Sequence, residues 1–328
     1  MNLISRLIAL VMSALTAVTG FFTSGAAFDT MTSYLITAAQ ISEYDNTLKT
    51  AVPQTVVYDM ITEFFDSELP EGKTEKKVLV LGYDGCRADT LKLMRSESES
   101  GIRTLLADGG KLVFSYAGGA NFPKRITQAT DTAPGWCSML TGVWAKDHGV
   151  TGNDIEKSND RLTLLTSLVE DGTVDDSAFY VSWGGHFGGP GMTYWQERQY
   201  IEEKQLPVRF VQNGDDNGTL ASVLADVSSP ECSDFIFSIF EYCDHEGHDS
   251  GFGRLNPKYA AVFLDAEKAS KACIDAVKAR PTYDTEDWLI IITSDHGGFN
   301  SSHGGSTVCE RMTFIAANRD IDYGKLLS

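Results

Sequence analysis

The hydroxyl group of Thr132 lies where a helix is expected to begin. Residues 132–136 read Thr-Ala-Pro-Gly-Trp, and both Asp131 and Thr132 are residue types favoured at a helix N-cap, while Pro134 suits a first helical turn. A helix N-terminus stabilises an anion such as phosphate or sulfate through its backbone N–H groups and its dipole. An isolated pattern of this kind is more often a simple capped helix, so a chemical role for Thr132 depends on the rest of the chain.

Carboxylates and imidazoles recur in the second half of the chain at spacings typical of metal ligands. Asp244 and His248 are four residues apart, Asp295 and His296 are adjacent, and His303 follows seven residues later. Oxygen and imidazole ligands without thiolates suit Zn²⁺, with Mn²⁺ or another divalent ion as the alternative. A single Asp–His pair is more often a loop cap than a ligand, but the combination predicts a site for divalent metal ions.

Three apolar runs are expected to position these groups. Residues 78–84, 234–244 and 288–295 each read as a buried parallel strand, and the last residue of each run is an aspartate. Strands and helices alternate along the chain, which predicts an α/β domain with a mostly parallel central sheet and helices on both faces. Because ligands bind outside the carboxyl ends of such strands, we expect the three aspartates to converge in one crevice.

The N-terminal segment predicts export. Arg6 precedes the apolar run of residues 7–22, and the small residues at 24–27 suit cleavage, so residues 1–27 are typical of a signal peptide. The run is short for a membrane span, and a retained N-terminal anchor is the alternative. Residues 28–77 are expected to form a short helical extension that ends in a polar linker, and residues 78–328 the main domain.

Composition limits the kinds of partner. The 328 residues carry a net charge of −18 and are 42% hydrophobic, which indicates a folded acidic protein and argues against binding to a nucleic-acid duplex. A phosphorylated substrate therefore needs local positive charge, which bound metal ions supply. The six cysteines form no C-x-x-C pair, so disulfides are neither required nor excluded.

Taken together, the motifs resemble those of the alkaline phosphatase superfamily, and in particular its type I phosphodiesterase/nucleotide pyrophosphatase branch. Asp84 in Gly-Tyr-Asp-Gly is similar to the first metal-binding aspartate of the family, Thr132 to its nucleophile, and Asn153 to the asparagine that binds phosphoryl oxygens. The resemblance implies an alkaline-phosphatase-like fold for residues 78–328 and two divalent ions, of which Zn²⁺ is the expected identity. Its implied ligands are Asp244, His248 and His303 for one ion, and Asp84, Thr132, Asp295 and His296 for the other.

The resemblance also implies an activity. The expected protein is an exported hydrolase, secreted or held at the cell surface or in the periplasm, which cleaves small phosphate esters of the diester or nucleotide pyrophosphate type through a phospho-threonine at Thr132. Sulfatases of the superfamily have Cys and Arg where this chain has Thr132 and Trp136, so sulfatase activity is disfavoured. The alternatives are an envelope phosphotransferase of the same superfamily and a non-catalytic binding protein that retains the fold. Contact with a membrane is expected only if the N-terminal segment is retained.

Overall fold

The computed structural model describes residues 50–121, 124–153 and 161–327 of the chain. The expected signal peptide at residues 1–27 and the first part of the expected extension, residues 28–49, lie outside these ranges. Within the described ranges, no helix is both long enough and apolar enough to cross a lipid bilayer.

An eight-stranded sheet forms the centre of the described chain. Its strands are β1 (Val52–Pro53), β2 (Glu75–Tyr83), β3 (Lys111–Tyr116), β4 (Ser177–Val181), β5 (Val208–Gln212), β6 (Phe235–Phe240), β7 (Glu286–Thr293) and β8 (Met312–Ala317). Their order in space is β1-β3-β8-β7-β2-β6-β4-β5, and every neighbouring pair is parallel except the two that contain β8. The predicted α/β class with a mostly parallel sheet is confirmed.

Helices surround this sheet. In the described ranges they are α1 (Val56–Asp66), α2 (Gly101–Ala107), α3 (Thr132–Thr141), α4 (Ala145–His148), α5 (Leu164–Glu170), α6 (Trp195–Lys204), α7 (Asp216–Val227), α8 (Tyr242–Ser250), α9 (Pro257–Lys278), α10 (Val308–Arg311) and α11 (Tyr323–Leu326). Successive strand residues point to opposite faces. At the end of β2, Gly82 packs on Trp136 of α3, while the Tyr83 hydroxyl contacts the Ala266 carbonyl of α9 at 3.2 Å. Both faces of the central strand are therefore covered by helices.

Part of the expected extension belongs to the core. Strand β1 pairs in parallel with β3, and α1 buries Val56, Val57 and Ile61 in the same hydrophobic cluster as α3. The Gln54 side chain donates from Nε2 to the carbonyl of Gly135 in α3, at 2.8 Å. Residues 50–66 thus pack directly against the helix that begins at Thr132.

The central strands deliver two of the three aspartates as expected. Asp84 follows the last residue of β2, and Asp295 lies two residues beyond β7. Asp244 differs, because β6 ends at Phe240 and Asp244 lies in the first turn of α8. The strand stops there because Glu241 takes a helical conformation and donates its backbone N–H to a side chain of α7, not to a neighbouring strand.

Candidate active site

Thr132 is the first residue of α3 and is almost completely buried. Asp131 occupies the N-cap position in an extended conformation, but its side chain makes no capping hydrogen bond. Instead, the backbone N–H of Ala133 donates to Oδ1 of Asn153 at 2.9 Å. The structure therefore brings the predicted phosphoryl-binding side chain of Asn153 to the helix N-terminus that carries the Thr132 hydroxyl.

The first group of predicted ligands surrounds this hydroxyl. Thr132 Oγ1 lies 3.1 Å from Oδ1 of Asp84 and 3.4 Å from Nε2 of His296. The same His296 nitrogen lies 3.5 Å from Oδ1 of Asp84 and 3.4 Å from Oδ2 of Asp295. Asp84, Asp295 and His296 are all fully buried, and one ligand atom from each lies within 4.8 Å of the others.

The second group adjoins the first. Nε2 of His248 lies 3.3 Å from Oδ2 of Asp244, and Nε2 of His303 lies 3.5 Å from Oδ1 of the same residue. The two imidazole Nε2 atoms are only 3.1 Å apart. Asp244, His296 and His303 also have ligand atoms within 4.8 Å of one another, so His296 lies within reach of both groups.

The hydrogen bonds of the three histidines determine which ring nitrogen carries the proton. Each Nδ1 faces an oxygen that can only accept: the Ser301 carbonyl for His248 (3.0 Å), the Gly297 carbonyl for His296 (2.8 Å), and Asp131 Oδ1 for His303 (2.7 Å). In the neutral rings, every Nε2 therefore presents a lone pair to the carboxylates. Lone pairs and carboxylate oxygens facing one another are satisfied by a cation, so the residues present fit divalent metal ions.

The electrostatics of the buried carboxylates agree with this fit. Burial is the largest cause and repulsion from Asp244 the next, and together they raise the pKa of Asp84 to about 8. Burial and then repulsion from Asp84 are the largest causes that raise the pKa of Asp295 well above its usual range. Burial, followed by the charge of His303, lowers the pKa of His296 to about 4. Among the described residues, none donates a hydrogen bond to the buried Oδ1 of Asp244 or Oδ2 of Asp295. A divalent cation would relieve both the repulsion and the missing hydrogen bonds.

Trp136 is a site residue that the sequence did not single out. Its Nε1–H donates to Oδ2 of Asp84 at 2.8 Å, so both carboxylate oxygens of Asp84 have defined partners. The indole reaches this position because residue 82 is glycine, and a Cβ there would lie 2.5 Å from the ring. The signal in the sequence was the combination of Gly82 with a large aromatic residue four positions, or about one helical turn, after Thr132.

Glu241 is the second residue that the sequence analysis missed. It is buried, and one of its carboxylate oxygens lies within 4.8 Å of ligand atoms of Asp84 and Asp244. Its Oε1 faces Nε2 of the buried His186 at 3.9 Å. Burial, followed by repulsion from Asp84, raises the pKa of Glu241 well above its usual range. Its place three residues before Asp244 was the available signal, because that spacing puts two carboxylates on adjoining parts of one helical turn.

A sequence model described as "Type I phosphodiesterase / nucleotide pyrophosphatase" matches residues 78–310. The chain belongs to this family. The resemblance predicted from the motifs around Asp84, Thr132 and Asp295 is thereby confirmed, and the matched range contains every predicted ligand.

Several known proteins are similar to this chain over part of their length. Human ectonucleotide pyrophosphatase/phosphodiesterase family member 5 is 23% identical over 237 residues, which are 68% of this chain and 45% of the human protein. The structure of an inactive threonine-to-alanine variant of the murine family member 5, in complex with AMP, superposes with a TM-score of 0.46 at 20% identity, covering 68% of this chain and 57% of the murine one. A 2-O GAG sulfatase superposes with a TM-score of 0.47 at 14% identity, covering 74% and 64%. The chain thus spans less than half of the human relative's length.

Proposed function

We propose that the protein is a metal-dependent hydrolase of phosphate esters of the diester or nucleotide pyrophosphate type, with Thr132 as its nucleophile. One observation carries this proposal: the Thr132 hydroxyl lies at a buried helix N-terminus, 3.1 Å from Asp84 and 3.4 Å from His296, beside two groups of converging lone pairs. Membership of the type I phosphodiesterase/nucleotide pyrophosphatase family supports the reaction class.

The proposed metal ligands are the two neighbouring groups of side chains in the candidate active site. Asp244, His248 and His303 would bind one ion, and Asp84, Asp295, His296 and the Thr132 hydroxyl would bind the other. Zn²⁺ is the proposed identity, because the donors are carboxylates and imidazoles without thiolates. When bound, two divalent cations would favour loss of the hydroxyl proton and would neutralise the negative charge that the phosphoryl group carries.

The proposed reaction proceeds in two successive displacements at phosphorus. Thr132 Oγ1 gives up its proton to solvent and forms a bond to phosphorus, while the bond from phosphorus to the leaving oxygen breaks and that oxygen takes a proton from solvent. The phosphoryl group is then on the threonine. The N-terminus of α3 and the Asn153 side chain bind its non-bridging oxygens. Water then attacks the same phosphorus atom and the bond from phosphorus to Oγ1 breaks; one proton of the water returns to Oγ1 and the other goes to solvent, which regenerates Thr132. Before the first displacement, Asp84 and His296 hold the Thr132 hydroxyl in position.

We further propose that the protein acts after export on small phosphorylated substrates. The support is the pattern of residues 1–27, with Arg6 before the apolar run. N-terminal sequencing of the native product combined with cell fractionation tests this. An intact Met1 on a cytoplasmic product would refute export, and an intact Met1 in a membrane fraction would indicate the anchor.

A substrate screen tests the activity. The purified protein, with and without added Zn²⁺, is assayed with an aryl phosphodiester, an aryl phosphomonoester and an aryl sulfate of the same leaving group. We expect Zn²⁺-dependent hydrolysis, fastest for the diester and absent for the sulfate. Product that appears only when an acceptor alcohol is added would indicate a phosphotransferase instead. No turnover of any ester by the metal-loaded protein would refute hydrolysis and favour a binding role.

A further inference from the structure

Asp131 stands at the N-cap of α3 but serves a different partner. Its Oδ1 lies 2.7 Å from Nδ1 of His303, across 172 positions of sequence, and both side chains are largely buried. Asp131 also directly precedes Thr132. One short segment therefore contacts a proposed metal ligand with one residue and presents the proposed nucleophile with the next.

The surroundings of the Asp131 carboxylate are shaped to hold it there. Gly304 has a φ of +94°, and a Cβ on it would lie 2.8 Å from Asp131 Oδ1, while a Cβ on Gly152 would lie 3.3 Å from Oδ2. The carboxylate therefore has a close-fitting position between Gly152 and Gly304, with Oδ1 facing Nδ1 of His303.

His303 differs from the other two histidines of the site in this respect. Nδ1 of His248 and Nδ1 of His296 donate to backbone carbonyls, whereas Nδ1 of His303 donates to a carboxylate. A carboxylate partner fixes the tautomer and the ring orientation, and it makes the opposite nitrogen a stronger ligand than a carbonyl partner does. That opposite nitrogen is Nε2, which faces Asp244 and His248.

We propose that Asp131 is a positioning residue for the metal ion bound by Asp244, His248 and His303. It holds the His303 ring with Nε2 towards the ion, and so the residue before the nucleophile sets the affinity of the metal site next to it. This inference rests on the proposed function, because it takes His303 to be a metal ligand.

A second contact between the same two loops provides a matched control. Thr130 Oγ1 donates to the Gly305 carbonyl at 2.8 Å, and the backbone N–H of Gly304 donates to the Thr130 carbonyl at 3.1 Å. Thr130→Val removes the first of these contacts without touching His303. It therefore weakens the attachment of the loops while the hydrogen bond to the imidazole remains.

The experiment compares the wild type with Asp131→Ala, Asp131→Asn and Thr130→Val. Zn²⁺ stoichiometry and the two dissociation constants are measured by competition with a chromogenic chelator, and the metal-free proteins are compared by thermal unfolding. For Asp131→Ala we expect one of the two dissociation constants to rise about 10- to 100-fold, the usual effect of removing such a partner, and the other to stay unchanged. Asp131→Asn keeps an acceptor oxygen, so its raised dissociation constant should lie between those of the wild type and of Asp131→Ala. Thr130→Val should bind both ions as the wild type does.

The outcomes separate the inference from the proposed function. A wild-type protein that binds no Zn²⁺ would refute the proposed function itself. A wild type with two ions and an Asp131→Asn or Asp131→Ala variant with unchanged constants would refute only the role of Asp131. If Thr130→Val weakened binding as much as Asp131→Ala, attachment of the loops would explain the effect and the positioning role would be wrong.

Discussion

The groups around the Thr132 hydroxyl are positioned by contacts between residues that are distant in sequence. The sequence predicted its type, its place at the start of a helix and the ligands that would accompany it, because these follow from short motifs. It did not identify Trp136 as the donor to Asp84, or Asp131 as the partner of His303. Both contacts depend on glycines at 82 and 304 that leave room for a side chain from elsewhere, and such long-range contacts appear only in the folded chain.

Substitution of Thr132 tests catalysis separately from metal binding. Thr132→Ala removes the proposed attacking oxygen but leaves six carboxylate and imidazole side chains in place, so we expect a loss of activity on the order of 10³-fold or more with little change in Zn²⁺ content. Thr132→Ser keeps the oxygen and should retain a measurable fraction. Steady-state rates on an aryl phosphodiester, together with metal analysis, check both.

Thr141→Val is the matched control within α3. Its hydroxyl donates to the Cys137 carbonyl one turn earlier, at 2.7 Å, so its loss should leave the rate within a few fold of wild type. Should Thr132→Ala hydrolyse the diester as fast as wild type, direct attack by water would become the better mechanism.

At the level of elements, the long apolar runs and their parallel direction were predictable, and the antiparallel strand β8 was not. Residues 78–83 of β2, all of β6 and residues 288–293 of β7 are buried and mostly apolar. Strand β5 is partly exposed, with Val208 buried beside an exposed Arg209, and its pattern was too weak to predict. Strand β8 is buried throughout, but its antiparallel position between β3 and β7 depends on the path of the preceding loops.

The beginning of β7 depends on a buried ion pair. Glu286 accepts hydrogen bonds from Nε and Nη2 of Arg280 at 2.6–3.0 Å, and both side chains are almost inaccessible to solvent. Breaking a buried pair leaves one charge uncompensated, so Glu286→Gln should lower the free energy of unfolding by about 3 kcal/mol at pH 7. Urea unfolding of the metal-free proteins measures this.

The same pair has a pH signature. Burial alone raises the pKa of Glu286, but the hydrogen bonds from Arg280 lower it to about 2, from an ordinary value of 4.5. A lowered pKa contributes stability above pH 4.5 that is lost as the pH falls towards 2. The difference between wild type and Glu286→Gln should therefore shrink from pH 5 to pH 3. A constant difference over this range would show that Glu286 is not stabilised as a charged group.

For the whole molecule, we expect stability to depend on metal. The acidic chain gathers Asp84, Asp244, Asp295 and Glu241 at one end of the sheet, where their repulsion opposes folding unless cations are bound. About two divalent ions should bind to each chain, and an ion at 1,000 times its dissociation constant should add roughly 4 kcal/mol to the free energy of unfolding. Metal analysis and urea unfolding, before and after chelation, check this. Carefully reconstituted protein without bound ions would contradict it.

The position of β8 means that the segment shared with the family is smaller than the unit that must fold. The matched range, residues 78–310, begins after β1 and α1 and stops before β8, which pairs with both β3 and β7. A fragment limited to that range would expose both edges of β3, one edge of β7 and the apolar side of α3, which are surfaces that promote aggregation. We expect residues 78–310 to be insoluble on expression and residues 50–327 to give a cooperative unfolding transition, as circular dichroism would show. Boundaries for recombinant expression should therefore follow the sheet order and not the limits of recognisable homology.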